Sequence, residues 1–329
     1  MTPIKHIAIV GAGRMGNAIA IAFAYAGQTV SVIDVKPRDD HQLAHFESQW
    51  QSSIQQEIQL LQQIEMINVE QANKLRSHIH FIHKDRQAYA WDEVDLLIEA
   101  VPEIKAAKAE LLQWLDPLIR PNCIVSSTTS TFLVTEVAEM ISYPERVINA
   151  HWLNPAYLMP LVELSRSEQT SAEVVEQVKT LFTRMGKVPI VCNAVAGYVV
   201  PRIQALAMNE AARMVEENVA SAEDIDMAIR TGFGLRFSIL GMLEFIDWGG
   251  GDILYHASDY LQQTLGERYQ APDIIQDNMQ NNRNGLRELQ GFYDYRDCDV
   301  QAYKLSVIRQ FARQLKFNQL APAYEVLNP

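Results

Sequence analysis

The sequence predicts a doubly wound, mostly parallel α/β sheet followed by an all-helical domain, with the change at residue 195/196. Three observations carry this reading. Ile4 to Asp34 runs strand, glycine loop, alanine-rich helix, strand and terminal acid. Val94 to Val101 (VDLLIEAV) is almost continuously apolar, as strands buried on both faces of a parallel sheet are. Beyond Ala196-Gly197 the apolar spacing becomes helical and stays so. The domains are therefore 1–195 and 196–329, as 329 residues exceed the usual size of one core.

In the first unit Gly11-Ala-Gly-Arg-Met-Gly16 follows the strand Ile4–Val10 directly. Gly11 permits the tight turn, Gly13 lets backbone amides approach a pyrophosphate, and Gly16 lets helix and strand pack closely. The helix start then faces the phosphates, with Arg14 and Met15 on it. Asp34 ends the second strand about 20 residues on, where such a Rossmann-type fingerprint places the acid that holds the ribose hydroxyls. A carboxylate there repels a 2′-phosphate and favours NAD over NADP, although Arg14, Lys36 and Arg38 lie close enough in sequence to oppose that preference.

Residues 39 to 73 are polar and helical in pattern, with an Ile54, Ile58, Leu61 stripe and a capping box at Asn68 to Gln71. His78 to His83 alternates as a strand. His78 and His80 share a face, and His41 and His45 sit at helical spacing, but neither pair is joined by cysteine or paired carboxylates, so no metal site is expected. The strand Cys123–Ser126 opens into Ser126-Ser-Thr-Thr-Ser-Thr131, a hydroxyl cluster that lines a crevice or caps a helix. Ser171 to Met185 is a helix ending at Gly186, and Val188 to Cys192 is the last strand.

Arg146 to Ser165 (RVINAHWLNPAYLMPLVELS) reads strand, break at Asn154-Pro155, strand. His151 ends the first run. Glu163 lies inside the second, where an unpaired carboxylate is costly. Either the two form a general acid/base pair or His151 is solvated and Glu163 faces out from an edge strand. In the second domain Tyr198 to Asn218 carries an apolar stripe including Ile203, Leu206 and Val215, with Pro201 in the first turn. A helix opening at Ser221 is expected to end at Gly232 and Gly234. Further helices are expected over Leu240–Trp248, Asp252–Leu265 and Gln301–Leu315, with a turn-rich segment from Gly285 to Tyr295.

A formal charge of −12 argues against nucleic acid or an anionic membrane as partner. No apolar run reaches the roughly 18 residues of a membrane span, and no signal-type segment opens the chain. Cys123, Cys192 and Cys298 are far apart and odd in number, which fits reduced thiols in the cytoplasm.

Together these residues resemble the L-3-hydroxyacyl-CoA dehydrogenase family over roughly residues 4 to 296. The glycine loop and Asp34 match its NAD loop. Ile98-Glu-Ala-Val-Pro-Glu103 and Lys108 match its second cofactor-contacting element, and Ser130 its substrate-contacting serine. His151, Asn154 and Glu163 match the catalytic histidine, the neighbouring asparagine and the orienting acid, and Gly285 to Tyr295 resembles the closing Gly-Phe-Tyr segment. The resemblance implies NAD-dependent oxidation of an L-3-hydroxyacyl-CoA and a homodimer through the helical domain.

Three departures stand out. Pro201 replaces a substrate-holding asparagine, and Leu289 replaces a glycine. Residues 39 to 73 contain no Lys or Arg, where the acyl-CoA enzymes have a basic helical arm that touches the CoA nucleotide. Relatives acting on free 3-hydroxy acids, such as the carnitine and gulonate dehydrogenases, are therefore an alternative. Arg230 and Arg236, flanking Gly232–Gly234, could then hold a small carboxylate. A non-catalytic NAD-binding structural protein is a further alternative. The β-hydroxyacid dehydrogenases, which use a lysine after the crossover, are disfavoured because no lysine lies between Val188 and Tyr303.

Overall fold

The computed structural model describes residues 4–322. In chain order its elements are β1 (Ile7–Val10), α1 (Arg14–Tyr25), β2 (Val30–Asp34), α2 (Asp40–Gln63), α3 (Val69–Ser77), β3 (Ile79–His83), β4 (Leu96–Glu99), α4 (Lys105–Leu115), β5 (Ile124–Ser127), α5 (Val134–Ala138), β6 (Val147–Trp152), β7 (Leu161–Arg166), α6 (Ala172–Arg184) and β8 (Val188–Asn193). Helix α7 (Val200–Glu216) follows. Then come α8 (Ala222–Ala228), a π-helical segment (Ile229–Phe233), α9 (Gly234–Phe237), α10 (Met242–Gly249), α11 (Gly251–Leu265), α12 (Asp273–Gln280) and α13 (Val300–Phe317). Contacts divide the chain into two compact units, Met1–Ala207 and Met208–Pro329, so α7 starts in one and ends in the other.

The eight strands form one sheet in the order β3-β2-β1-β4-β5-β6-β7-β8. Every neighbouring pair is parallel except β6–β7. The doubly wound, mostly parallel sheet read from the sequence is thus present. The direction of winding reverses between β1 and β4, and the glycine loop leaves β1 at that crevice. One core cluster packs α1, α2 and α6 against the sheet through Ile19, Phe23, Trp50, Ile54 and Phe182. A second packs α4 and α5 against it through Leu112, Leu115 and Val137. The apolar sequence Val94–Val101 is covered on both sides because Leu96 and Ile98 belong to the first cluster and Leu97 to the second.

Helix α2 is 24 residues long and opens on a capping box, in which Asp39 accepts from the Gln42 amide at 2.8 Å and Gln42 accepts from the Asp39 amide at 3.2 Å. The box expected at Asn68 and Gln71 opens α3.

One expectation for the second unit is corrected. The helix opening at Ser221 does not end at Gly232 and Gly234; it continues through the π-helical segment to Phe237. A glycine stops a helix when it takes a left-handed conformation at the C-terminus, and neither of these glycines has positive φ. The missing Cβ at Gly234, which would stand 3.1 Å from the Ile229 carbonyl, accommodates the wider turn. The helix expected over Tyr198 to Asn218 forms as α7, yet no residue of it is buried and Leu206 is 71% exposed.

The departure at Leu289 has a backbone consequence. Its φ is +61°, in the left-handed region, and its neighbourhood is closed by Tyr295 N–H donating to the Leu289 carbonyl at 3.0 Å. Leucine costs about 1–2 kcal/mol there, glycine almost nothing. The side chain is 39% exposed, so trimming it loses little burial. Leu289→Gly should therefore raise unfolding stability by roughly 0.5–1 kcal/mol after the added chain entropy is subtracted. A urea midpoint unchanged or lowered at constant m-value would contradict this.

Candidate active site

The glycine loop is built for close approach. A Cβ at Gly16 would stand 1.9 Å from the Gly11 carbonyl oxygen, and one at Gly11 would stand 2.4 Å from that of Ala100. Neither position can hold a side chain. Gly13 differs: a Cβ there would meet nothing within 4 Å, so its face is open. Helix α1 starts here with no side-chain cap and no acid in its first turn. Its first amides are left to an outside acceptor, and the dipole favours an anion there. These residues fit a dinucleotide pyrophosphate.

Asp34, nearly buried at the end of β2, accepts from Arg38 Nε at 2.6 Å. The Arg38 guanidinium lies 3.7 Å from the Phe46 ring centre on α2. The acid that would receive the ribose hydroxyls therefore already carries a cation, and that cation is stacked in place.

Glu103, Lys108 and Ser130 converge in one network. Lys108 is 1% exposed and lies under the surface. Its ammonium donates to both oxygens of Glu99 (2.8 and 2.9 Å) and pairs with Glu103 at 3.1 Å. Glu103 in turn accepts from the amides of Ser130 and Thr131, both at 3.1 Å, and from the Thr129 hydroxyl. Burial alone would raise the Glu103 carboxyl, but Thr129 and Lys108 more than offset it and hold the group below the ordinary glutamate value. The buried end of this network is Glu99, which also accepts from Ser127 Oγ at 2.5 Å. It thus fixes the loop that presents Ser130. Glu99 carries the same warning as Glu163, an acid inside an apolar strand, and that signal was available in VDLLIEAV.

His151 and Glu163 are directly opposed in the antiparallel β6–β7 pair. The His151 Nδ1 to Glu163 Oε2 distance is 2.8 Å, and Glu163 is fully buried. Its other oxygen accepts from the Val199 and Val200 amides at 2.8 and 2.9 Å, at the positive end of α7. Pro201 lies in this first turn and has no N–H to leave unpaired. The Tyr198 ring stacks on the imidazole. Nothing in the sequence pointed to it.

Asn154 lies in the loop between β6 and β7. A cleft of about 520 Å³ runs between this loop, the glycine loop and α2, lined among others by Gly13, Arg14, Trp50, Glu57, Asn154 and Tyr157. Lys187 anchors the loop from below: its ammonium donates to the carbonyls of Ala156 and Met159 at 2.6 and 2.9 Å. Burial lowers that ammonium below the usual lysine value. Arg230 and Arg236 belong to the second unit, where Arg230 pairs with Asp226 at 3.6 Å and Arg236 lies over Phe245. Among the described residues no cluster of His, Cys, Asp and Glu could hold a metal ion, and no helix is long and apolar enough to cross a membrane.

The Asp34–Arg38 pair makes a cofactor prediction. With Asp34 in place NAD is favoured. In Asp34→Ser, Arg38 is released beside the ribose and its charge becomes available to a 2′-phosphate. The ratio of kcat/KM for NADP to that for NAD should rise by about 10- to 100-fold, the worth of one or two charge-assisted hydrogen bonds. A ratio unchanged in this variant would show that Asp34 does not set the choice.

Residues 6–195 match the model for the 3-hydroxyacyl-CoA dehydrogenase NAD binding domain, and residues 197–295 match that for the 3-hydroxyacyl-CoA dehydrogenase C-terminal domain. A probable 3-hydroxybutyryl-CoA dehydrogenase of Bacillus subtilis is 31% identical over 303 residues, covering 89% of this chain and 98% of that protein. The 5-formyl-3-hydroxy-2-methylpyridine 4-carboxylate 5-dehydrogenase of Mesorhizobium japonicum is 28% identical over 308 residues, covering 93% and 96%. Among solved structures, a 3-hydroxyacyl-CoA dehydrogenase of Archaeoglobus fulgidus superposes with a TM-score of 0.76 at 29% identity, covering 96% of this chain and all of that one. With the glycine loop, Asp34 and the His151–Glu163 pair in one unit, these matches agree: the chain belongs to the NAD-dependent 3-hydroxyacyl-CoA dehydrogenase family of oxidoreductases.

Proposed function

We propose that the chain oxidises the 3-hydroxyl of an L-3-hydroxyacyl-CoA to the 3-oxo compound, with His151 as general base. The observation that carries this reading is the buried 2.8 Å contact of His151 Nδ1 with Glu163. It commits one ring nitrogen and leaves Nε2 to take the hydroxyl proton. NAD supplies the hydride acceptor when bound. Glu163, held by two backbone amides, selects the tautomer protonated on Nδ1 and favours the imidazolium that forms as the proton arrives. Ser130, on the loop fixed by Glu103, and Asn154, in the cleft, are the candidates to hydrogen-bond the reacting oxygen or its neighbours. Glu103 and Lys108 hold the cofactor side of that loop.

A second reading is a free 3-hydroxy acid in place of the thioester. Helix α2 and its cap carry Asp39, Asp40, Glu47 and Glu57 and no Lys or Arg, and Glu57 faces the cleft. Arg14 is the lone lining base of that cleft, and the phosphates of CoA usually meet several. The Mesorhizobium relative is named for a pyridine carboxylate, a substrate without CoA. The exposed apolar side chains of α7 and its neighbours, Leu206, Met208 and Val219, support pairing of the helical unit with a second copy. Three free cysteines fit a reducing cytoplasm.

The substrate test is acetoacetyl-CoA reduction against acetoacetate reduction under one set of conditions, followed by NADH consumption. The thioester reading expects the higher kcat/KM with acetoacetyl-CoA. Much higher efficiency with the free acid, without inhibition by added CoA, replaces it with the second reading. No turnover of any 3-hydroxy or 3-oxo substrate would leave a non-catalytic NAD-binding protein.

For the base, His151→Ala should lower turnover by about 10²- to 10⁴-fold while NAD affinity stays near wild type. Glu163→Gln should cost less, because the ring remains and loses only its charged partner. Wild-type turnover in His151→Ala would remove His151 from the mechanism.

A further inference from the structure

Helix α7 opens on a turn that grips both members of the His151–Glu163 pair. Gly197 and Tyr198 have φ of +83° and +45°, two successive left-handed residues. A tyrosine rarely adopts that conformation, and residues held so cluster at functional sites. Here the conformation lays the Tyr198 ring flat against His151, with centroids 4.9 Å apart and planes inclined by 20°. The phenol hydroxyl donates to the Thr129 carbonyl at 2.8 Å, which pins the far end of the ring. The amides of the next two residues, Val199 and Val200, are the two donors to Glu163.

An imidazole hydrogen-bonded at one nitrogen keeps a soft motion. Its terminal torsion is broad, so the ring can tilt while Nδ1 stays near its acceptor. Tilt swings Nε2 away from the position a substrate hydroxyl would occupy. A flat aromatic wall, itself fixed at both ends, removes that motion. We propose that the Gly197–Val200 turn is a clamp on the dyad and that Tyr198 is a positioning residue, its ring holding the plane of His151 so that Nε2 stays aimed. The inference rests on the reading of His151 as general base.

The test uses the full-length chain and whichever of 3-hydroxybutyryl-CoA and 3-hydroxybutyrate the wild type oxidises with NAD. Tyr198→Leu keeps apolar cover over His151 and removes the flat ring. Its kcat should fall about 10- to 100-fold with KM and NAD affinity within about twofold of wild type, since only orientation in the chemical step is lost. The isotope effect on kcat with substrate deuterated at C3 should rise, because the chemical step then limits turnover; a loss of folded enzyme would leave it unchanged. Tyr198→Phe retains the stack and should recover most of the rate. Wild-type kcat in Tyr198→Leu, or a rise in KM alone, overturns the clamp. Tyr198→Met is the alternative should Tyr198→Leu fail to bind NAD, and failure of both would make the ring an element of folding and overturn the positioning role. An inactive His151→Ala beside a fully active Tyr198→Leu rejects the clamp alone, whereas an active His151→Ala rejects the base and the clamp together.

Discussion

The antiparallel register that sets His151 opposite Glu163 is the constraint on which the candidate site depends. In a sheet otherwise parallel, β6 and β7 are the one reversed pair, and reversal is what lets residues twelve apart in sequence face each other across neighbouring strands. A slip of one residue would turn the carboxylate to the opposite face and leave the imidazole without a partner. The alternation around Glu163 resists this slip, since Val162 and Leu164 are both buried among apolar side chains. A fully buried carboxylate is tolerated because it accepts three hydrogen bonds, from His151, Val199 and Val200. Removing any one donor therefore alters a group that has no access to water in compensation.

The same logic recurs at Glu99, three strands nearer the glycine loop. It too is fully buried, and its partners are the Lys108 ammonium, the Ser127 hydroxyl and the Val101 amide. Both acids are satisfied by donors from neighbouring strands and from segments that follow them, and both orient a group of the candidate site. Glu163 orients an imidazole. Glu99, through Lys108 and Glu103, orients the loop carrying Ser130. Burying an ion pair gains little stability of itself, so its value here is in fixing geometry.

Much of this was legible in the sequence, because the relevant chemistry is local. The glycine loop needs Gly11 and Gly16 where no Cβ fits, and Asp34 must end its strand; spacing alone reveals such requirements. An acid in an apolar run, as at Glu163, announces a buried partner. What was not legible depends on backbone conformation or on long-range approach. Tyr198 acts through a left-handed turn that no side-chain pattern encodes, and its contacts reach back 47 residues to His151 and 69 to Thr129. Gly232 and Gly234 looked like helix stops because glycine is common at C-termini, yet only a positive φ makes it one. Lys108 matched a cofactor-contacting element, and no spacing showed that it lies inside, paired with two acids.

The α2 arm is where local rules and family likeness diverge, and the structure adds a physical reason to take the divergence seriously. The arm is a well-formed element. Its capping box is complete, and its apolar stripe is buried with Trp50 donating to Asn17 on α1 at 2.8 Å. Its lack of Lys and Arg is therefore a property of a helix held firmly beside the glycine loop. Glu57 of that helix accepts from the Tyr157 hydroxyl, and burial together with that carboxylate pushes the phenol up to about 12. The bond ties α2 to the loop carrying Asn154 and keeps a negative group fixed in the cleft. Exposed acids are screened beyond about 8–10 Å at physiological salt, so those on the outer face of α2 have little reach. Glu57 lines the cleft itself, and screening protects an incoming polyphosphate least from it. Arg14 and Glu57 are thus the two charged side chains that line that cleft, one of each sign.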